Sequence, residues 1–357
     1  MAFVSSGSAL VSRGTALARC GRVGGVRARR AGAATLRAAL PSVERPPVEV
    51  ITEGPIFRRS GLRLDEGDVN WEEWYKLAGV LARELGKEAT VERIHKLYLP
   101  VYFWLRKQVR IKRAEKKSAV VIGLSCPQGG GKTTITTFLR KLFALDGLSC
   151  AIASTDDFYL TNEEQRKLAK KYESDHLLEY RGNPGTMDVE LMVQTVNDLK
   201  SAKEGDIVPI PRYNKSAFNG RGDRQPASQW TISEGAVDVV ILEGWCVGFQ
   251  PKETLKNPDL KNVNRYLNDF ARVYNLFDLM LVVQITNLDN IYTWRKQAED
   301  TMKRKGKGGM SDEELRDFVD RFMPAYEEYL PQLYKSGVSS SVEQLNIKID
   351  GKRTPIE

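Results

Sequence analysis

The protein has 357 residues and a formal net charge of +8. Seven of its positive charges are arginines within residues 1–43, which contain no Asp or Glu, so the rest of the chain carries only +1. That near-neutral balance argues against a nucleic-acid-binding ATPase, which needs a basic surface. No apolar run approaches the roughly 20 residues of a membrane-spanning helix, and four cysteines in this length are no disulfide framework.

Before its first predicted strand the chain divides into three segments. Residues 1–43 are rich in Arg, Ser and Ala, which is typical of an organelle transit peptide; a basic nucleic-acid-binding tail is the alternative. Residues 44–69 contain several prolines and show little periodicity, which predicts a linker. Residues 70–117 are predicted to be helical, because apolar side chains recur at helical spacing from Trp71 to Leu105.

From residue 118 to residue 357 the pattern alternates between strand and helix. The predicted strands are Ala119–Leu124, Cys150–Thr155, Val237–Leu242, Leu279–Ile285 and Leu345–Ile349. The predicted helices cover residues 132–145, 161–172, 188–202, 262–276, 289–304 and 311–330. Strands separated by helices indicate an α/β fold with a mostly parallel sheet covered on both faces, the three-layer α/β/α arrangement of P-loop NTPases. Ligands of such sheets bind beyond the carboxyl ends of the strands.

A glycine-rich turn follows the first predicted strand, and residues 120–134 read VVIGLSCPQGGGKTT. A strand, a glycine-rich turn, Lys132 and then a helix form the context of a phosphate-binding P-loop, although Cys126 stands where the first glycine is usual. Backbone N–H groups of the turn and the helix N-terminus would cradle phosphates. Lys132 would reach the outer phosphates of ATP, and the Thr133 hydroxyl would hold Mg²⁺. The expected nucleotide-binding residues are Gly129, Gly130, Gly131, Lys132, Thr133 and Thr134.

Carboxylates end the second and third predicted strands. Asp156 and Asp157 follow the second strand, where Asp156 would accept the proton of an attacking hydroxyl; a helix-capping role is the alternative. The third strand runs through four apolar residues into Glu243, the pattern of a Walker B strand, and Glu243 would act on Mg²⁺.

Two loop-like stretches, residues 176–188 and 209–224, are dense in Arg, Tyr, Asn and Gly. Their cations suit a carboxylate or a phosphate, which favours a small anionic acceptor. The alternative is a solvated surface loop with structural ion pairs. The acceptor-binding residues expected in these stretches are Arg181, Arg212, Tyr213, Lys215 and Arg224, and Asp157 and Tyr159 after the second strand are expected to join them.

A cationic helix with Arg295 runs into the Gly-rich stretch Met302–Met310. This arrangement suits a lid that closes over phosphates, with Arg295 stabilising charge on the transferred group. A mobile charged loop without a catalytic role is the alternative.

Several of these motifs together resemble the plant-type D-glycerate 3-kinase family over residues 70–350. The segments that carry the resemblance are Ser125–Thr134, Thr155–Thr161, Leu178–Asn183, Pro211–Ser216, Gly220–Arg224, Leu242–Trp245, Trp294–Glu299, Met310–Glu314 and Pro324–Tyr326. The resemblance implies a P-loop kinase related to phosphoribulokinase, uridine kinase and pantothenate kinase. It implies that Asp156 is the general base, that Glu243 is the acid ending the third strand, and that the enzyme acts in the chloroplast stroma in photorespiration.

We therefore expect Mg-ATP-dependent phosphorylation of D-glycerate to 3-phospho-D-glycerate, by a monomer with neither a nucleic-acid nor a membrane partner. Two alternatives stay open. One is a kinase of the same fold with another acceptor, such as pantothenate or a nucleoside. The other is a nucleotide-dependent switch protein, although the chain has no Asn-Lys-x-Asp guanine-reading motif.

Overall fold

The structure is a computed structural model that describes residues 45–64, 66–304, 306 and 310–357, with only the backbone described at Lys87. The expected transit peptide lies outside the described residues, as do four residues of the expected lid. None of the helices in the described part of the chain combines the length and the apolar composition that crossing a membrane requires.

A five-stranded parallel sheet forms the centre of the described chain. Its strands are β1 (Val120–Ser125), β2 (Cys150–Ser154), β7 (Val239–Gly244), β8 (Leu279–Ile285) and β9 (Glu343–Ile349). They lie in the order β2-β7-β1-β8-β9. All residues of β1 and β7 are buried, as expected for central strands covered by helices on both faces. The predicted α/β fold is thereby confirmed. Glu243 pairs in register with Ser154, and Gly244 with Ser125, so the functional strand ends lie side by side.

Helices flank this sheet and follow the predicted order. They are α1 (Val48–Thr52), α2 (Pro55–Ser60), α3 (Trp71–Leu85), α4 (Val91–Arg93), α5 (Leu99–Glu115), α6 (Lys132–Leu145), α7 (Asn162–Lys171), α8 (Val189–Ser201), α9 (Lys261–Tyr274), α10 (Asp289–Arg304), α11 (Asp312–Asp320) and α12 (Met323–Ser336). A π-helical turn, Ile94–Tyr98, joins α4 to α5. The single helix predicted over residues 311–330 is two helices in the structure, because the α-helical pattern is interrupted at Arg321 and Phe322. The second helix has Pro324 in its first turn, where a residue needs no backbone N–H.

The linker predicted at residues 44–69 differs from the structure, which contains α1 and α2 there. Ile51 and Ile56 are fully buried and Phe57 nearly so, and all three belong to the same apolar cluster as the sheet. Two helices of five and six residues are too short for periodicity to reveal, and tertiary packing stabilises them instead.

The predicted helical segment at 70–117 packs on α6, the helix that begins at the phosphate loop. The rings of Tyr98 and Phe138 meet edge to face with centroids 4.9 Å apart, and Tyr102 meets Phe143 at 5.6 Å. The Tyr102 hydroxyl also donates to the Leu142 carbonyl over 3.1 Å. These helices therefore support α6 from behind.

Two small antiparallel ribbons, which the sequence pattern did not predict, lie between α8 and β7. One pairs β3 (Ile207–Ile210) with β6 (Thr231–Glu234), and the other pairs β4 (Tyr213–Asn214) with β5 (Asp223–Arg224). Strands of two to four residues give too little alternation to recognise. The second ribbon closes the loop that carries Lys215.

Candidate active site

The phosphate loop connects β1 to α6 through residues 126–131. Gly129 and Gly131 adopt φ angles of +78° and +104°, which disfavour any residue with a side chain. In the described chain the amides of Gly131, Lys132 and Thr133 donate to no backbone carbonyl, so they remain available for an anion at the start of α6. The Lys132 ammonium donates to the Cys126 carbonyl over 3.0 Å and so lies across the loop.

Cys126, the departure from the usual P-loop pattern, is fully buried under this loop. A Cβ added to Gly130 would lie 2.7 Å from its Sγ, so the two small residues pack directly together. Burial raises the pKa of the Cys126 thiol to about 11, although the charge of Lys132 opposes the rise. The thiol is therefore neutral near pH 7 and acts as a small packing group.

Glu243 is the penultimate residue of β7, beside the phosphate loop, and is 9% exposed. Burial raises the pKa of its carboxyl above the usual value, against the lowering influence of Lys132. Its Oε2 is buried and has no hydrogen-bond partner. A buried carboxylate oxygen without a partner is costly, which is expected at a position that receives a cation or a water molecule.

Asp156 follows β2 and lies between two donors. Tyr159 Oη donates to its Oδ1 over 2.9 Å, and Lys215 Nζ donates to its Oδ2 over 2.5 Å. Burial acts to raise the pKa of Asp156, but the charge and hydrogen bond of Lys215, together with Lys132 and Tyr159, outweigh it and lower the pKa below the usual value. The carboxylate is therefore ionised near pH 7 and also interacts electrostatically with Lys132.

Asp157, the neighbouring acid, faces a different set of partners. It accepts from Arg212 Nη1 over 2.8 Å and from the Tyr213 amide over 3.1 Å. Burial raises the pKa of its carboxyl, with Arg212 opposing the rise. Asp157 therefore fixes the start of β4 and the guanidinium of Arg212.

Arg181 and Arg224, two of the predicted acceptor-binding residues, are engaged within the protein. Arg181 donates to the carbonyls of Lys215, Gly220 and Arg221. Arg224 donates to the Tyr159 carbonyl and lies 3.2 Å from a carboxylate oxygen of Asp188.

These bonds hold the loop on which Lys215 is presented. The side chains of Lys215 and Arg212 are 56% and 40% exposed, whereas that of Arg224 is 12% exposed.

Arg295, the predicted lid residue, lies on α10 with its guanidinium 5.2 Å from the ring centroid of Phe318. Its Nη2 lies 3.4 Å from the buried Glu299, which also accepts from the Met310 amide. These contacts join α10 to α11. The structure thus places Arg295 beside Glu299 and Phe318. These contacts are separate from those that join Lys215 to Asp156 and Lys132 to Cys126.

Three further side chains touch the phosphate loop, and the motif did not predict them. Tyr326 Oη accepts from the Gln128 amide over 3.1 Å. Trp294 packs against Gly129, where an added Cβ would lie 2.5 Å from Trp294 Cβ. Arg353 Nε donates to the Gly129 carbonyl over 2.8 Å. Tyr326 and Trp294 lie in segments that carried the family resemblance, whereas nothing in the sequence pattern marked Arg353.

Comparisons with known proteins agree with this geometry. A family model described as the Phosphoribulokinase / Uridine kinase family matches residues 121–340. A chloroplastic D-glycerate 3-kinase of Arabidopsis thaliana is 39% identical over 327 residues, which are 86% of this chain and 72% of that protein. A probable ATP-dependent kinase of Saccharomyces cerevisiae is 35% identical over 280 residues, 74% of this chain and 92% of that protein.

A solved structure of a D-glycerate 3-kinase from Cryptococcus neoformans superposes with a TM-score of 0.65 at 30% identity. The superposition covers 72% of this chain and 96% of the Cryptococcus chain. The family model matches more than half of the chain, and the matches to the Arabidopsis and Saccharomyces kinases cover more than two thirds of each relative at over 30% identity. The chain is an ATP-using P-loop kinase and belongs to the Phosphoribulokinase / Uridine kinase family.

Proposed function

We propose that this kinase transfers the γ-phosphoryl group of Mg-ATP to the 3-hydroxyl of D-glycerate, giving 3-phospho-D-glycerate and ADP. The observation that carries the proposal is the ion pair between Asp156 and Lys215 just after β2. The charge of Lys132 also acts on the Asp156 carboxyl. A carboxylate and an exposed cation at one point suit an acceptor that carries both a hydroxyl and a carboxylate. Two relatives with this kinase fold, one plant and one fungal, are named D-glycerate 3-kinase.

Asp156 is the proposed general base. Its ionised carboxylate would take the proton of the 3-hydroxyl as that oxygen forms its bond to the γ-phosphorus and the bond to the β–γ bridging oxygen breaks. Tyr159 orients it: burial and the Asp156 charge raise the pKa of Tyr159 well above its usual value, so the hydroxyl stays protonated and keeps donating to Oδ1.

Lys215 and Arg212 are the proposed partners of the glycerate carboxylate. Their side chains are more exposed than that of Arg224, and both pair with carboxylates, Asp156 and Asp157, that a substrate anion can replace. Arg181 and Arg224 serve instead as positioning residues, since their bonds to the chain hold the β4–β5 loop in place. This division refines the expectation that all four cations bind the acceptor.

Mg²⁺ fits the residues beside the phosphate loop. The buried, unpartnered Oε2 of Glu243 offers it a ligand or a water-mediated contact, and the exposed Thr133 lies in the first turn of α6. Among the described residues no group of three or more His, Cys, Asp and Glu side chains forms a metal site by itself. That composition agrees with an ion held by one or two protein oxygens together with substrate phosphates. Bound there, Mg²⁺ would neutralise negative charge on the phosphates.

The proposed setting is the chloroplast stroma, where the reaction would serve photorespiration. The Arg-rich, acid-free residues 1–43 and the chloroplastic plant relative support that location, while related kinases of fungi show that the fold serves other settings. The monomeric state expected from the sequence stays a prediction.

The proposal is tested by measuring ATP consumption with Mg²⁺ against D-glycerate, L-glycerate, pantothenate, uridine and ribulose 5-phosphate. Turnover with D-glycerate alone, with 3-phosphoglycerate identified as the product, is the expected result. Turnover with another acceptor would keep Asp156 and the kinase assignment but refute the substrate. ATP binding without turnover on any acceptor would favour a nucleotide-dependent switch.

A further inference from the structure

The chain that follows β9 folds back into a tight turn. Within Asp350–Thr354, Asp350 Oδ1 accepts from the amides of Lys352 and Thr354 over 2.9 and 2.8 Å, and the Asp350 amide donates to the Thr354 carbonyl over 3.0 Å. Ile349 and Pro355 form a further bridge across the base of the turn. The turn is therefore well fixed by its own hydrogen bonds.

Arg353 stands at the tip of this turn with φ at +62°, a backbone region that residues with side chains rarely adopt. Its guanidinium contacts three groups. Nε donates to the Gly129 carbonyl over 2.8 Å, Nη1 lies 3.2 Å from Gln297 Oε1, and Cζ lies 4.8 Å from the ring centroid of Trp294. A planar fork that bonds in its plane while stacking on an aromatic face is a geometry that Lys cannot reproduce.

Trp294 completes the contact from the α10 side. Its indole Nε1 donates to the Gly351 carbonyl over 2.8 Å, and its Cβ lies against Gly129. The C-terminal turn, α10 and the phosphate loop thus meet at one point, and the guanidinium of Arg353 links all three.

The bond to Gly129 holds one peptide unit of the phosphate loop. The carbonyl of the Gly129–Gly130 peptide is held by Arg353 and its N–H by the Pro127 carbonyl over 3.0 Å. The next three amides, those of Gly131, Lys132 and Thr133, donate to no backbone carbonyl in the described chain. Fixing the plane of the Gly129–Gly130 peptide therefore fixes the orientation of the backbone that leads into those three amides.

We propose that Arg353 is a positioning residue for nucleotide binding, which holds the phosphate loop in its phosphate-binding shape from behind. In this role Arg353 acts through the Gly129 carbonyl. Its effect would fall on the nucleotide's outer phosphates, which the loop amides would bind, and not on the adenosine part. The inference rests on the kinase assignment and is independent of which acceptor the enzyme uses.

The test compares Arg353→Met with Lys352→Met in the full chain. Lys352 is the exposed neighbour on the same turn, so it controls for altering the turn and for losing one positive charge. The measurements are KM for ATP, kcat, and the inhibition constants of ADP and AMP against ATP. A lost hydrogen bond from a charged group predicts a roughly 10-fold or larger rise in KM for ATP and in the ADP constant for Arg353→Met. The AMP constant should be unchanged, and Lys352→Met should behave as the parent.

The distinction between ADP and AMP separates this role from its rivals. A general loss of structure, or a contact between Arg353 and the base, would weaken AMP as much as ADP and would overturn the proposal. Unchanged ATP and ADP constants in a folded Arg353→Met protein would overturn it as well. Should Arg353→Met fail to fold, Gln297→Leu removes the second acceptor of the guanidinium and leaves the turn intact. That variant should show the same selective weakening of ADP to a smaller degree, and its absence would count against the proposal.

Discussion

Lys215 Nζ lies 2.5 Å from Asp156 Oδ2, so the proposed general base is covered by an exposed cation on a loop 59 residues further along the chain. In this arrangement the carboxylate is ionised but engaged. A substrate carboxylate that draws Lys215 away would free Asp156 at the moment when the acceptor hydroxyl arrives.

Lys215→Met is expected to raise the pKa of Asp156, because burial then acts with less opposition. The base is active when ionised, so loss of activity on acidification should begin at a higher pH in this variant. If the proposed function holds, KM for D-glycerate should rise about 10-fold or more, since the proposed charge-assisted bond to the acceptor is lost. The pH profile of kcat/KM measures both effects.

Lys167→Met is the matched control, because Lys167 also pairs with an acid, Glu163, but on the exposed surface of α7. It should leave the profile unchanged. An acidic limb that stays in place in Lys215→Met would show that Lys215 does not govern the ionisation of Asp156.

Asp156→Asn should lower kcat by about 10²- to 10⁴-fold, the usual contribution of a positioned general base, while leaving ATP affinity largely intact. Asn preserves the size of the side chain and can still accept from Tyr159. Asp157→Asn is the comparison, since it loosens the bond to Arg212 and should act mainly on the acceptor KM. Steady-state kinetics together with ATP titration distinguishes the two. Equal kcat in Asp156→Asn and the parent protein would remove Asp156 from the mechanism.

Glu243→Gln should stabilise the free enzyme near pH 7 while reducing its activity. The pKa of Glu243 is raised by burial, so ionisation of this carboxyl costs folding free energy. The cost is complete above its raised pKa in the folded state and absent below the unfolded value of about 4.3. A gain in Tm of about 2–4 °C, which corresponds to about 1 kcal/mol, is expected near pH 7.

That gain should shrink as the pH approaches 4, which thermal melts at several pH values measure. A Tm equal to or below that of the parent near pH 7 would show that the carboxylate is stabilised in the free enzyme. Glu299→Gln, at another buried acid, is a useful contrast, because Glu299 has partners in Arg295 and the Met310 amide and its loss should destabilise.

The features that the sequence could predict are those encoded locally. The phosphate loop, Asp156 and Glu243 each follow a recognisable apolar strand, and parallel strands bring their carboxyl ends to the same edge. The contact between Arg353 and Gly129 joins residues 224 positions apart, and no spacing rule reveals it. The partners of Arg181 were hidden for a related reason: whether an Arg binds backbone carbonyls or a substrate depends on how its loop folds.

Ile56→Ala tests whether residues 44–69, which the sequence pattern predicted to be a linker, contribute to the stability of the fold. Ile56 is fully buried and α2 lies in the common core, so its truncation should cost about 2–5 kcal/mol of folding free energy. Leu64→Ala, at a residue 41% exposed on the same segment, should change stability by no more than about 0.5 kcal/mol. Urea unfolding measures both variants. Helix α5 contacts both α2 and α6. A similarly small cost for both substitutions would therefore mean that α2 does not stabilise α6 and its phosphate loop through α5.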